Sequence, residues 1–129
     1  MPESPQLKQM EYAHKCIQHW PSDSRKQLTV ASKGLPVMLR SQGVAVAVAT
    51  LNKERKTQPL AENIARWLLE DAPVKTLKPD ESRRAAPVRK LLAACAKVDR
   101  TAYRVAQREA LALAEMIKIY AEAWENGEK

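Results

Sequence analysis

An all-α fold is predicted for this chain from three features of its composition. Phenylalanine is absent, aromatic residues make up 5%, and glycine occurs only 3 times in 129 residues. The strongest helix formers (alanine, leucine, lysine, glutamate and arginine) are abundant, and no convincing pair of β-rich segments is present. A chain of this length is expected to form one domain. We therefore predict a compact single-domain bundle of five or six helices over residues 1–129, with a long helix at the C-terminus.

The first helix is predicted to begin at Ser4 and Pro5 and to end at Trp20. A serine followed by a proline is typical of an N-cap and a first helical position. Apolar residues recur at three- and four-residue steps up to Trp20, and Pro21 closes the helix.

The second helix is predicted to start near Ser22 or Asp23 and to be interrupted by Gly34 and Pro36. A proline inside a helix removes a backbone hydrogen bond and clashes with the preceding turn. We therefore expect a break there, followed by a short helix over residues 36–41.

The run of valine and alanine over residues 44–51 suits either a strand or a helix. Its alternation is typical of a strand, yet four of its residues also form a helical stripe: Val44, Ala47, Val48 and Leu51. An isolated strand is not stable. Because no second strand is available to pair with it, we predict a buried helix.

Two further helices are predicted to begin at Pro59 and Pro87. In the first, one face carries Leu60, Ile64, Trp67 and Leu68. In the second, one face carries Val88, Leu91, Cys95 and Val98. Residues 53–58 are predicted to form a charged loop, and residues 72–82, which contain two prolines, a second loop.

The last helix has the clearest pattern. Its apolar residues step strictly by three and four: Tyr103, Ala106, Ala110, Leu113, Ile117, Tyr120 and Trp124. Asp99 or Thr101 is predicted to cap its start and Gly127 its end, giving a length of about 38 Å. A second apolar flank includes Leu111 and Ile119. Such a helix either lies at the centre of its bundle or packs against another subunit.

The surplus positive charge is concentrated between residues 83 and 108. This segment holds eight lysines and arginines against a single acid, Asp99, and so carries the chain's whole net charge of +7. Clustered cations attract polyanions, which favours a nucleic-acid-binding surface. The alternative is a solvated helix face without a binding function.

Within this segment, Arg100, Arg104 and Arg108 follow one another at four-residue steps. Like charges at this spacing repel, and cations are unfavourable near a helix N-terminus. A rule of helix stability that is broken without visible compensation indicates a functional site. The alternative is that these arginines pair with acids of a neighbouring helix.

Neither a cofactor, a metal nor a catalytic site is predicted. Cys16 and Cys95 lack metal-ligand spacing and are predicted to be reduced thiols, with a disulfide as the alternative. His14 and His19 would allow a ribonuclease hypothesis, but five residues turn them about 140° apart on a helix. The three tryptophans lie on apolar stripes and are predicted to be core residues rather than base-stacking platforms.

No targeting segment is predicted either. The first seven residues contain no apolar run. The longest uncharged run, residues 41–52, is 12 residues long, which is too short to span a bilayer as a helix. A soluble, cytoplasmic protein is therefore predicted.

Two segments resemble a known family. Residues 32–44 (SKGLPVMLRSQGV) resemble a family segment of lysine, leucine, proline, an apolar pair and then polar-asparagine-glycine-leucine. Residues 103–123 (YRVAQREALALAEMIKIYAEA) are similar to its C-terminal signature. The family is the small helical subunit of the type III-B CRISPR RNA-targeting effector complex. Val44 replaces the usual leucine, Ile119-Tyr120 replaces a basic-aromatic pair, and residues 52–100 match only loosely.

The resemblance implies a non-catalytic subunit whose copies stack head to tail into a minor filament. Its implied partners are the other CRISPR effector subunits, the guide RNA and the target RNA, with target cleavage carried out elsewhere. It would supply phosphate contacts that carry no sequence information. Lys33 and Arg40 fall on the first motif, and Arg104, Arg108 and Lys118 on the second. The charge argument adds Arg89, Lys97 and Arg100 to these candidate nucleic-acid-binding residues.

A stand-alone helical nucleic-acid-binding regulator is the alternative function. It would need a recognition helix that presents polar side chains to base edges. Beside its arginines, the last helix offers only Gln107 for this purpose.

Overall fold

The computed structural model describes residues 4–73, 75–77 and 86–127, and all regular secondary structure in these ranges is helical. The elements are α1 (Pro5–His19), α2 (Arg25–Gln42), α3 (Val44–Asn52), α4 (Gln58–Arg66), a π-helical turn (Trp67–Asp71), α5 (Pro87–Lys97) and α6 (Arg100–Gly127). The predicted all-α fold with a long C-terminal helix is confirmed.

The long helix α6 packs along both α1 and α2, and α3, α4 and α5 pack on one another beside them. Its core stripe is buried at Ala106, Ala110, Leu113, Ile117 and Ala121. The valine-alanine run is α3, and all four residues of its helical stripe are buried. The prediction of a buried helix there is therefore confirmed.

Side-chain caps fix the starts of the first and last helices. The Ser4 hydroxyl accepts a hydrogen bond from the Leu7 amide at 3.1 Å. The Asp99 carboxylate accepts one from the Ala102 amide at 2.8 Å, so Asp99 rather than Thr101 caps α6. Each cap pairs an amide that the helix itself leaves without a partner.

The predicted break in the second helix is wrong, because α2 runs without interruption through Gly34 and Pro36. The buried face of α2 continues through the proline at Leu28, Ser32, Leu35, Pro36 and Leu39. Burying this face offsets the roughly 3 kcal/mol cost of an interior proline. Gly34 lies on the exposed side, where a Cβ would meet nothing within 4 Å.

The π-helical turn after α4 was not predicted. It carries Trp67, which is 1% exposed and packs against Tyr12, with ring centroids 4.9 Å apart and ring planes tilted by 46°. Asn63, one turn earlier, accepts hydrogen bonds from the Tyr12 hydroxyl through its carbonyl oxygen and from the Trp20 indole through its side chain. Of the loop predicted over 72–82, residues 72, 73 and 75–77 are non-helical, and the others lie outside the described residues.

Both cysteines are free thiols, and Cys16 is expected to resist chemical labelling in the folded protein. Burial raises the pKa of its thiol from an ordinary value near 9 to about 12. Because the thiolate is the reacting species, we expect labelling at pH 8 to be at least ~100-fold slower than in urea-unfolded protein. A Cys95→Ala variant isolates Cys16 for this measurement with a disulfide reagent. Equal labelling rates in the folded and unfolded chains would contradict the expectation.

Candidate nucleic-acid interface

The three arginines predicted as a functional stripe lie on the exposed side of α6, within its first three turns. We call Arg100, Arg104 and Arg108 the arginine stripe. Four residues rise about 6 Å along a helix, so the stripe is about 12 Å long. Within the described ranges, none of the three forms a hydrogen bond or a salt bridge. The charge of the stripe is therefore available to an outside anion.

The rotation of α6 at this level is fixed by a side-chain cap on α3. Gly43 separates α2 from α3 and has φ 86° and ψ 160°. The Val44 amide donates to Gln107 Oε1 at 2.6 Å, and the Ala45 amide donates to the Tyr103 hydroxyl at 3.1 Å. We call this arrangement the α3 cap. It gives partners to the first two amides of α3, which the helix itself leaves unpaired.

Gln107 also binds the α2 end of the junction, because its amide nitrogen donates a hydrogen bond to the Leu39 carbonyl at 2.5 Å. Tyr103 and Gln107 each precede a stripe arginine by one residue, which corresponds to about 100° around the helix. With these two side chains held against the α2–α3 junction, Arg104 and Arg108 lie about 100° around the helix from it, on the exposed side.

The inward position of Gln107 weakens the hypothesis of a sequence-reading regulator. That hypothesis needs polar side chains that reach base edges, and Gln107 was the only such residue beside the arginines of α6. Both polar atoms of its side-chain amide are engaged within the fold. The exposed charged residues on the outer side of the N-terminal half of α6 are the three arginines of the stripe, which suit phosphate groups, with the partly buried Glu109 beside Arg108.

Two other candidate residues, Lys33 and Arg40, are engaged by acids of α6. Lys33 Nζ lies 2.8 Å from Glu125 Oε1, and Arg40 Nη2 lies 2.6 Å from Glu115 Oε1. The hydrogen bond to Glu125 raises the pKa of Lys33. Pairing with acids of another helix, considered from sequence for the arginine stripe, is thus found for α2 instead. In both pairs, a carboxylate already balances part of the charge that would attract a phosphate.

The remaining candidates lie on α5 and farther along α6. Arg89 and Lys97 are exposed on α5, eight residues apart and so on one side of that helix. Lys118 is partly exposed on α6 and lies five full turns beyond Arg100, on the same side. All three remain predicted contacts. Arg83 and Arg84, which belong to the basic segment, lie outside the described residues.

The aromatic and histidine residues occupy different environments. Trp20 and Trp67 are buried in the core as predicted, being 4% and 1% exposed. Trp124 is partly buried, and the guanidinium of Arg25 lies 4.6 Å from its ring centroid. His14 and His19 are both exposed on α1, and His19 Nδ1 lies 2.8 Å from the Lys15 carbonyl.

Within the described ranges, no group of three or more histidine, cysteine or acidic residues is placed to hold a metal ion. No helix there is both long enough and apolar enough to cross a membrane.

The α3 cap is the part of this interface that sequence reasoning missed. One signal was present in the sequence: Gly43 directly precedes the valine-alanine run, where a glycine is typical of a sharp change of chain direction. The partners of the junction lie about 60 residues later, and no local pattern connects them to it.

Comparison with known proteins identifies the family. No curated protein and no solved structure matches the chain. The family model described as CRISPR-associated protein (Cas_Cmr5) matches residues 6–124, and this range contains both of the motif segments and the arginine stripe. The chain therefore belongs to the Cas_Cmr5 family of CRISPR-associated proteins, a small-subunit family of type III-B complexes.

Proposed function

We propose that this chain is a non-catalytic small subunit of a type III-B CRISPR effector complex that contacts the backbone of the guide–target RNA duplex. Its copies would stack head to tail into a minor filament beside the subunits that hold the guide RNA. Family membership supports a place in the complex. The observation that carries the RNA contact is the arginine stripe, which is exposed and forms no salt bridge among the described residues. Burial raises the pKa of the Glu109 carboxylate, and the charge of Arg108 lowers that pKa by less.

The proposed contact is independent of sequence. Arginine binds phosphate oxygens through charge-assisted hydrogen bonds that carry no base information. Because the side-chain amide of Gln107 is occupied by the α3 cap, the described N-terminal half of α6 offers cations but no amide for reading bases. The sequence of the target would be read by its pairing with the guide RNA.

The eight candidate residues differ in how readily they could meet RNA. The arginine stripe, Arg89 and Lys97 are exposed, and Lys118 is partly exposed. No salt bridge between described residues involves any of these six. The charges of Lys33 and Arg40 are partly balanced by Glu125 and Glu115. Their contribution to RNA binding is therefore proposed to be smaller than that of the stripe.

Replacing all three stripe arginines with alanine is expected to weaken target-RNA binding by the reconstituted effector complex about 10- to 100-fold at physiological salt. Each lost phosphate contact removes roughly 0.7–0.9 from the slope of log K against log salt, so the slope should fall by about two to three units. Filter binding over a salt series, with several unrelated guide–target pairs, measures both quantities. We expect an equal loss for every pair.

A matched control removes the same charge elsewhere. Lys53, Arg55 and Lys56 are exposed in the turn after α3, and replacing them with alanine also lowers the net charge by three. This variant should bind RNA nearly as the wild type does. A similar loss of RNA affinity in both variants would show that net charge, rather than the arginine stripe itself, determines binding. A loss that depends on the target sequence would contradict a contact with the RNA backbone.

A further inference from the structure

The two ion pairs between α2 and α6 frame an exposed apolar pair. On α2, Val37 lies four residues after Lys33 and three before Arg40, so all three share one stripe. On α6, Ile119 lies four residues after Glu115 and three before Glu122. Val37 is 65% exposed and Ile119 is 61% exposed.

These rows of residues on α2 and α6 run antiparallel to each other and lie in register. Arg40 pairs with Glu115 at one end and Lys33 with Glu125 at the other, and Glu122 also raises the pKa of Lys33 through its charge. Interpolating the residue positions between these two ion pairs places Val37 at the same height along the helices as Ile119. The shared surface therefore has two cations on α2, Lys33 and Arg40. On α6 it has three glutamates (Glu115, Glu122 and Glu125) and one partly exposed lysine, Lys118. An apolar residue lies midway along each helix.

Gly34 gives an independent indication that something approaches this surface. It lies in the interior of α2, on the exposed side, between the exposed residues Val30 and Val37. Glycine inside a helix is unfavourable relative to alanine, and here a Cβ would meet nothing within 4 Å. Packing within the monomer thus gives no reason for a glycine. Close approach of another backbone does, because it requires the Cβ to be absent.

We infer that this α2/α6 surface is the interface of a two-fold symmetric dimer of the chain. A two-fold axis parallel to the helices lays α2 of one copy over α6 of the other at the same level. Lysine and arginine then face glutamates on the partner copy, Val37 faces the partner copy's Ile119, and Gly34 lies against its α6. Such an interface is self-complementary and closes at two copies, unlike the head-to-tail contact of the proposed filament.

The size of the surface sets the expected affinity. α2 has 18 residues and is therefore about 27 Å long, and two packed helices are roughly 18–20 Å wide, giving about 500 Å² per copy. An interface of about 1,000 Å² in total is at the low end for specific association. We therefore expect a dissociation constant on the order of 10–100 μM.

We expect the dimer to form only when the subunit is not bound to RNA. Arg104 and Glu122 are eighteen residues apart, which is five full turns, so the arginine stripe and Glu122 share one side of α6. In the dimer, the arginine stripe of each copy faces the other copy next to that copy's α3, a helix without charged residues. On the proposed function, RNA and the second copy would compete for this side of α6.

Sedimentation velocity of the full chain without RNA, from 1 μM to 1 mM, tests the inference. We expect a reversible monomer–dimer equilibrium, and a monomer at every concentration would overturn it. In Gly34→Ala, the dimer should be at least tenfold weaker while the urea midpoint stays the same or rises. If the Gly34→Ala chain dimerises as strongly as the wild type, the α2/α6 surface is not the dimer interface.

A charge exchange tests the two-fold arrangement itself. The double variant Arg40→Glu/Glu115→Arg keeps the ion pair within each copy and the complementarity between two variant copies. Mixed with isotope-labelled wild-type chain, however, it sets like charges against each other, so native mass spectrometry should show both homodimers and at least tenfold less heterodimer than random mixing. Random mixing would overturn the arrangement.

The matched control for this exchange is Asp23→Arg/Arg55→Asp. It reverses a separate exposed pair, 3.9 Å apart, that lies outside the surface. This variant should mix randomly with the wild type. The RNA-binding assay of the stripe variant does not depend on any of these outcomes, so the dimer and the proposed function can fail separately.

Discussion

Replacing Gly43 with alanine is expected to lower the free energy of unfolding by about 3 kcal/mol, as measured by urea denaturation. The residue has φ 86° and ψ 160°, a region that is essentially restricted to glycine and costs other residues about 1–3 kcal/mol. An added Cβ would also lie 2.9 Å from the Tyr103 hydroxyl. Relieving that contact would disturb the hydrogen bond from the Ala45 amide, whose loss costs roughly 1 kcal/mol.

Two comparisons separate the causes. Gly34→Ala is the matched control, because its Cβ has open space and should stabilise the chain by about 0.5–1 kcal/mol. Adding Tyr103→Phe to Gly43→Ala removes the crowded oxygen but leaves the backbone strain, so only part of the loss should return. A Gly43→Ala chain that unfolds at the wild-type urea concentration would show that the junction does not hold this conformation.

Replacing Gln107 with leucine is expected to lower the free energy of unfolding by about 2–3 kcal/mol. Val44 is fully buried, and its amide would lose the Gln107 oxygen at 2.6 Å. A buried donor without a partner costs about 1–3 kcal/mol. Loss of the Gln107 donor costs less at the Leu39 carbonyl, since this carbonyl still accepts a hydrogen bond from the Gly43 amide at 3.0 Å. Urea denaturation with a constant m-value is the measurement.

Gln107→Glu and Gln27→Leu complete this test. The glutamate keeps an acceptor for the Val44 amide but sets a carboxylate oxygen against the Leu39 carbonyl, so it should recover only part of the stability. Gln27 is exposed on α2, and its replacement should change the stability by less than about 0.5 kcal/mol. Equal effects at Gln27 and Gln107 would mean that the α3 cap contributes nothing.

Local patterns predicted most of the fold because burial follows helical periodicity. The valine-alanine run was resolved correctly by the absence of a strand partner. The error at α2 came from giving Pro36 more weight than the apolar stripe around it. Leu28, Leu35 and Leu39 continue at helical spacing across the proline, and this continuity outweighed the local penalty. The π-helical turn at Trp67 has no signal in the periodicity that precedes it.

The candidate site was predictable where charge alone marks it, and not where long-range pairing decides it. The spacing of the arginine stripe is visible in the sequence. The acids that engage Lys33 and Arg40 are 92 and 75 residues away in the chain, so only the folded structure distinguishes paired cations from available ones. The same applies to Gln107, whose inward position follows from a junction 63 residues earlier.

The α3 cap also has a consequence for the order of events during synthesis. The first amides of α3 are paired by side chains that leave the ribosome about 60 residues after the helix itself. Helices α1 and α2 also pack along α6, which is made after them. A nascent chain that ends before α6 leaves these faces uncovered, so we expect it to remain sensitive to proteases. Protection should appear in one step, once α6 has emerged, because this later helix completes the core around α1 and α2.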